Sequence, residues 1–239
     1  MTVKQSILAM IALVLAGWLG TGAARAVTVD LISNGGFEAG NLSGWSTTSN
    51  SRGEHFDTVR GSNSLFGQRA MNGRYDVQYD PRYAGVSTLT QFFTVPDAVV
   101  NATLNFTQKI DLFGYFNVPR QQFKASIVNS VGAVISQVYS TAQSGLQLGE
   151  GQASTLSFDL TSLMQANAGS VLGVQFSLEA QTYSMSATLD DISMMVETPA
   201  VVPLPPTIWM MLAALGLFVL IGWRKRQTRD DTACCAQAA

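Results

Sequence analysis

Apolar and polar residues alternate with a period of two along most of the middle of this chain. In Thr103-Leu104-Asn105-Phe106-Thr107 and in Thr155-Leu156-Ser157-Phe158-Asp159-Leu160 the alternation is strict. That is the pattern of antiparallel strands with one face on a core and the other in water. Runs of this kind predict strands over 27–32, 54–59, 88–95, 102–110, 121–128, 133–139, 154–160, 171–179 and 185–196. Gly, Asn, Ser and Pro punctuate them. Asn34-Gly35-Gly36 reads as a turn, after which Phe37-Glu38 re-enters the core, and a second turn over 40–44 ends on Trp45, predicted to be core. Only 161–167 has room for a short helix. About nine strands with so little helix predict an all-β fold, a β-sandwich of jelly-roll type.

The pattern changes at both ends. Lys4 precedes an apolar run over 7–19, and Ala24-Arg25-Ala26 supplies small residues at −3 and −1 of a signal-peptidase site. Residues 1–26 are therefore expected to be a signal peptide cleaved after Ala26. Near the other end, Val202-Pro203-Leu204-Pro205-Pro206 is followed by 16 uncharged, mostly apolar residues, 208–223, and then Arg224-Lys225-Arg226. As a helix that run spans about 24 Å, slightly short of a hydrocarbon core. Thr207 and the proline hinge can add a turn, and Trp209 and Trp223 suit the two lipid–water interfaces. A single transmembrane helix over 207–223 is expected, with the three cations and the tail 227–239 on the cytoplasmic side. The domain over 27–200 then lies across the membrane.

Val202, Pro203, Leu204, Pro205, Trp209, the Leu/Gly-rich span and Arg224, Lys225, Arg226 together resemble the VPLP variant of the PEP-CTERM sorting signal. The resemblance covers 201–226. It implies export to the surface or extracellular matrix of a Gram-negative bacterium that makes exopolysaccharide, and recognition by an exosortase-type membrane protease. Two departures stand out: the name-giving Pro-Glu-Pro is absent, and 13 residues follow the basic cluster.

Composition narrows the partners. Between the two ends, eight Arg/Lys (Arg52, Arg60, Arg69, Arg74, Arg82, Lys109, Arg120, Lys124) stand against 14 Asp/Glu, leaving −6. An acidic exported domain argues against nucleic acid or anionic lipid as partner. The chain's two cysteines, Cys234 and Cys235, are adjacent and lie in the tail. The exported part therefore has no disulfide to rely on and must be held by its core.

Asn34-Gly35-Gly36-Phe37-Glu38 with Gly44-Trp45, then Thr90-Gln91-Phe92-Phe93-Thr94-Val95-Pro96, Leu104-Asn105-Phe106 and the closing Leu189-Asp190-Asp191-Ile192-Ser193, resemble the galactose-binding-like jelly rolls of many carbohydrate-binding modules. First and last strands often lie side by side in that architecture, which would bring Glu38, Asp190 and Asp191 together. Three such carboxylates repel one another unless a cation joins them, and oxygen donors suit Ca²⁺. The resemblance implies a structural calcium held by these three. The alternative is a capping Glu38 beside solvated aspartates.

The segment Asn72-Gly73-Arg74-Tyr75-Asp76-Val77-Gln78-Tyr79-Asp80-Pro81-Arg82-Tyr83 mixes tyrosines with arginines and polar groups. Such a mixture stacks on and hydrogen-bonds a sugar ring. Arg74, Tyr75, Tyr79, Arg82 and Tyr83 are the candidate ligand-binding residues, against the alternative of a polar loop covering the sandwich edge. Residues 113–117 form a second candidate contact loop. No enzyme signature is visible: His55 is the sole histidine, and there is no Gly-x-Ser-x-Gly elbow and no phosphate loop. A non-catalytic protein that binds exopolysaccharide is the first reading. An adhesion or matrix protein without a sugar site is the second, and a hydrolase a distant third.

Overall fold

The computed structural model describes residues 26–52, 55–60, 70–79, 83–112, 121–142, 152–180, 185–200 and 215–216. The expected signal peptide, transmembrane helix and tail lie outside these residues, apart from Ala26 and two helical positions, 215 and 216. Among the described residues no helix is long and apolar enough to cross a membrane. Residues 26–199 form one compact unit.

That unit is a sandwich of two antiparallel sheets. Eleven strands are described: β1 (Val27–Asp30), β2 (Ser46–Ser49), β3 (Asp57–Arg60), β4 (Tyr75–Tyr79), β5 (Gly85–Thr94), β6 (Asn101–Leu112), β7 (Gln122–Asn129), β8 (Val134–Ser140), β9 (Ser154–Asp159), β10 (Val171–Ala180) and β11 (Met185–Thr198). One short helix, α1 (Thr161–Ala166), lies between β9 and β10 and buries Met164. The six-stranded sheet runs β3-β4-β11-β6-β9, with β1 also paired to β11; the five-stranded sheet runs β2-β5-β10-β7-β8.

Alternation builds the core. On β6, Ala102, Leu104 and Phe106 turn inward, and on β10 Leu172, Val174, Phe176 and Leu178 do so from the facing sheet. Phe176 meets Phe106 edge-on at 5.0 Å and stacks on Phe123 at 6.1 Å. Trp45 is buried as expected, between Phe37 at 5.7 Å and Phe176 at 6.4 Å, so the Gly-rich opening turns are nailed to the core by aromatic rings.

Two strands fall where none was expected. β2 is short and polar, which hides it from any hydrophobic pattern. β4 occupies the stretch read as a ligand loop. Its Val77 and Tyr79 alternate inward beside Leu189 and Ala187 of β11, which is the same period-two signal seen elsewhere.

Candidate functional site

The last strand β11 carries the site because its pairing is interrupted. Residues 187–189 pair with β4 and residues 195–198 with β1, along the same edge. Between them the register against β6 shifts, from Asp190 opposite Thr107 to Ser193 opposite Asn105, and Asp191 adopts φ 50. A bulge of this kind frees backbone groups and re-aims side chains. The opening turn fills the gap: Ile192 N donates to Gly35 O at 3.0 Å and Leu31 N to Met194 O at 2.9 Å. A Cβ at Gly35 would collide with the Ile192 carbonyl oxygen, so this approach requires glycine.

The bulge gathers carboxylates. Asp190 is buried; its Oδ1 accepts from Asp191 N at 2.8 Å and its Oδ2 from Asn72 N at 3.1 Å. Asp191 accepts from the Asn72 amide group, Nδ2 to Oδ2, at 3.2 Å. Glu38 Oε1 accepts from Arg74 N at 2.7 Å and Tyr75 N at 3.0 Å. Gly73, at φ 59, sits where any Cβ would strike that same Glu38 carboxylate. Continuing the register of β4 against β11 puts Asp76 opposite Asp190. Asp76 is buried too; its Oδ2 accepts from Met71 N at 3.3 Å, while its Oδ1 has no hydrogen-bond partner among the described residues. The structure thus brings the three sequence-predicted carboxylates to one neighbourhood and adds Asp76 and Asn72. The signal for Asp76 was its place on a strand facing Asp190, which a loop reading conceals.

Electrostatics sorts the four. Burial pushes the Asp190 carboxyl up to about 7, aided by the neighbouring charges of Asp191 and Asp76 and opposed by the Asp191 and Asn72 amides. Burial likewise pushes Asp76 up to about 6, with Lys109 opposing and Glu38 adding to the rise. Glu38 goes the other way: the Tyr75 and then the Arg74 amides hold it below its ordinary value. The donor chemistry, oxygen only and crowded with negative charge, suits a hard cation. The positions are a separate matter. Among the described residues no three His, Cys, Asp or Glu side chains are placed to hold a metal ion, and Glu38 Oε1, both oxygens of Asp190 and Asp191 Oδ2 already accept from N–H donors.

The candidate sugar residues disperse. Tyr79 is 1% exposed and packs its ring 5.4 Å from that of Phe56. It offers no face to a ligand, because β4 is a strand that turns it into the core. Tyr75 is half-buried, its ring lying against Gly40. Arg74 is exposed, and Tyr83 is exposed with the Arg52 guanidinium 4.9 Å above its ring. Arg82 and the loop 113–117 lie outside the described residues, as do Val202, Pro203, Leu204, Pro205, Arg224, Lys225 and Arg226.

Residues 201–227 match the PEP-CTERM protein-sorting motif. The PEP-CTERM match marks the chain as exported and membrane-associated, and it overlies the expected 201–226 signal. No curated protein matches the chain in sequence. Among solved structures, a carbohydrate-binding module, TmCBM61 in complex with β-1,4-galactotriose, is similar at 15% identity and TM-score 0.46, covering 70% of this chain and 97% of the module. The K3 cleaved adhesin domain of Lys-gingipain from Porphyromonas gingivalis is similar at 12% identity and TM-score 0.49, covering 71% and 99%. A Stig cyclase, Fisc, from Fischerella sp. TAU is similar at 18% identity and TM-score 0.46, covering 73% and 100%.

Proposed function

We propose that this PEP-CTERM-bearing chain is an exported surface or matrix protein whose sandwich binds extracellular polysaccharide without catalysis. In this reading an N-terminal signal peptide starts export. The C-terminal hydrophobic segment anchors the chain across the membrane of a Gram-negative cell until an exosortase-type protease acts on it. The observation that carries the proposal is the sorting motif at 201–227. The strand order supports taking the sandwich as a jelly roll. Counted from β4 as the first of eight strands, the sheets read 1-8-3-6 and 2-7-4-5, two interleaved Greek keys. The non-catalytic reading is supported by burial, since the facing Asp76 and Asp190 are 4% and 1% exposed.

For the ligand, exposed Arg74 and the Arg52–Tyr83 pair supply cationic and aromatic contacts suited to an acidic sugar, which the rest of an acidic domain repels. The experiment is retention of the 26–199 unit on the host's own exopolysaccharide. Binding that weakens at least several-fold in Arg74→Ala or Tyr83→Ala supports the reading; no retention of the unaltered unit overturns it. The burial of Tyr79 favours a second reading, a matrix protein that works by protein contact, and that reading takes over on failure.

Calcium belongs to the same proposal. Its support is the repulsion among Asp190, Asp191, Asp76 and Glu38, which a cation would relieve. A site held a hundredfold above its Kd adds about 2.7 kcal/mol to stability. The 26–199 unit is then expected to melt several degrees higher in millimolar Ca²⁺ than in chelator, and Glu38→Gln to narrow the gap. Coincident melting curves remove calcium from the account.

A further inference from the structure

The outer face of the five-stranded sheet carries a piece of apolar packing that the core does not account for. Phe92 on β5 is 44% exposed. A Cβ at Gly173 on β10 would lie 2.9 and 3.1 Å from two atoms of the Phe92 ring and 3.0 Å from a Val128 methyl group on β7. The ring therefore lies over Gly173 and beside Val128. The register makes this a single cross-strand row, Phe92–Gly173–Val128–Val134. Val128 is fully buried although it stands apart from the central core cluster. Val134 is 57% exposed, and Val171 beside the row and Val131 at the β7–β8 turn extend the patch, at 44% and 84% exposed.

We propose that this face is where a second copy of the chain docks, in a two-fold contact that sets each Phe92 against the valine cluster of the other. Charge selects the occupant. The domain carries −6, yet residues 125–149 hold no charge at all, and the charges facing outward from β7 and β10 are Lys124 and Glu179, which pair with each other at 4.0 Å. Two acidic domains can meet at such a neutral surface with little repulsion, and a two-fold contact requires a patch complementary to itself. Side-chain chemistry points the same way. Aliphatic groups around a lone ring offer a sugar no hydrogen bonds, whereas they suit the apolar centre of a protein interface. The register shifts within the β7–β8 pair argue for contact through the face rather than strand addition at the β8 edge, since bulges disfavour edge pairing.

The test is the mass of the 26–199 unit in solution by sedimentation equilibrium and light scattering over a wide range of protein concentration. Expected is a monomer–dimer equilibrium that tightens as salt rises, because screening weakens the residual repulsion of two −6 domains. Val134→Asp and Val131→Asp should weaken it at least tenfold with unchanged melting temperature; Phe92→Ala should do the same, and the two valine variants stand in for it if it folds poorly. A monomer at every concentration overturns the proposal, as does a dimer indifferent to Val134→Asp. So does loss of polysaccharide retention in Val134→Asp with no change in mass, which would make this face a glycan surface instead.

Discussion

At the scale of single residues, Asp190 is the most constrained carboxylate described. It is buried, it accepts two backbone N–H groups, and it faces Asp76 across the strand pair. Burial is the main reason both groups hold their protons, up to about 7 for Asp190 and about 6 for Asp76, from 3.8; the charges of Asp191 and Asp76 add to the rise at Asp190 and that of Glu38 to the rise at Asp76. Folded pKa values raised above the unfolded value mean that the native state binds more protons between about pH 4 and 7. Stability from this pair is therefore highest below about pH 4 and falls as pH rises through about 6 and 7. A shift of this size corresponds to a few kcal/mol at most. In chelator, the melting temperature of the 26–199 unit is expected to rise on acidification from pH 8 to pH 5. Asp190→Asn should flatten the slope, because the amide removes the titrating charge, while its NH2 group, facing one of the two backbone N–H donors, lowers stability at every pH. Bound Ca²⁺ would favour the ionised pair and reverse the trend. Glu38, held low, adds stability that is present above 4.5 and lost only as pH falls through its folded value, so it does not blur this window. An Asp190→Asn variant with an unchanged slope would count against the account.

At the scale of elements, β4 decides how the tyrosines are read. Period-two alternation through Tyr75, Val77 and Tyr79 is visible in the sequence, and on that signal alone the segment is a strand. The neighbouring arginines, Asp-Pro and Asn-Gly pull the reading toward a polar loop. A tyrosine serves either role, since its ring is apolar and only its hydroxyl is polar. The structure separates them: Tyr79 is in the core and Tyr83 is at the surface. Tyr79→Ala is expected to destabilise the sandwich by about 3–5 kcal/mol, as for other large aromatic truncations, while Tyr83→Ala stays within about 0.5 kcal/mol. Denaturant midpoints of the two variants check this, and equal midpoints would contradict the placement. The other strands were legible because their alternation is strict and uncontested, as in Thr103–Thr107. The coming together of Glu38, Asp190 and Asp191 followed from the pairing of β1 with β11. The β11 bulge was not legible, because nothing in Leu-Asp-Asp-Ile-Ser marks where register shifts. Asp76 stayed hidden because its partner lies more than a hundred positions away, on a strand whose register the sequence does not state.

At the scale of the whole molecule, the sandwich and the sorting segment are separable by design. Every described strand and the whole described core fall within 26–199, and the sorting motif begins at 201. Removing residues 200–239 should therefore leave the melting temperature of the sandwich unchanged within error, while abolishing retention with the cell envelope. The basic cluster provides the finer test. An apolar segment of this length takes its orientation from the excess of Lys and Arg beside it. Beyond Arg224-Lys225-Arg226 the sole further cation is Arg229, which Asp230 and Asp231 offset. Replacing the three cations by neutral residues should thus loosen orientation or retention without touching the fold. Protease protection of a tag on the tail reads the side of the membrane directly, and thermal melting of the released 26–199 unit confirms that the sandwich is intact. Misplaced or released protein with an unaltered melt is the expected pair of results. A tail still protected as before, in cells that retain the protein normally, would mean that orientation does not depend on these charges; a tail tag open to protease in the unaltered chain would remove the membrane-spanning reading of 207–223.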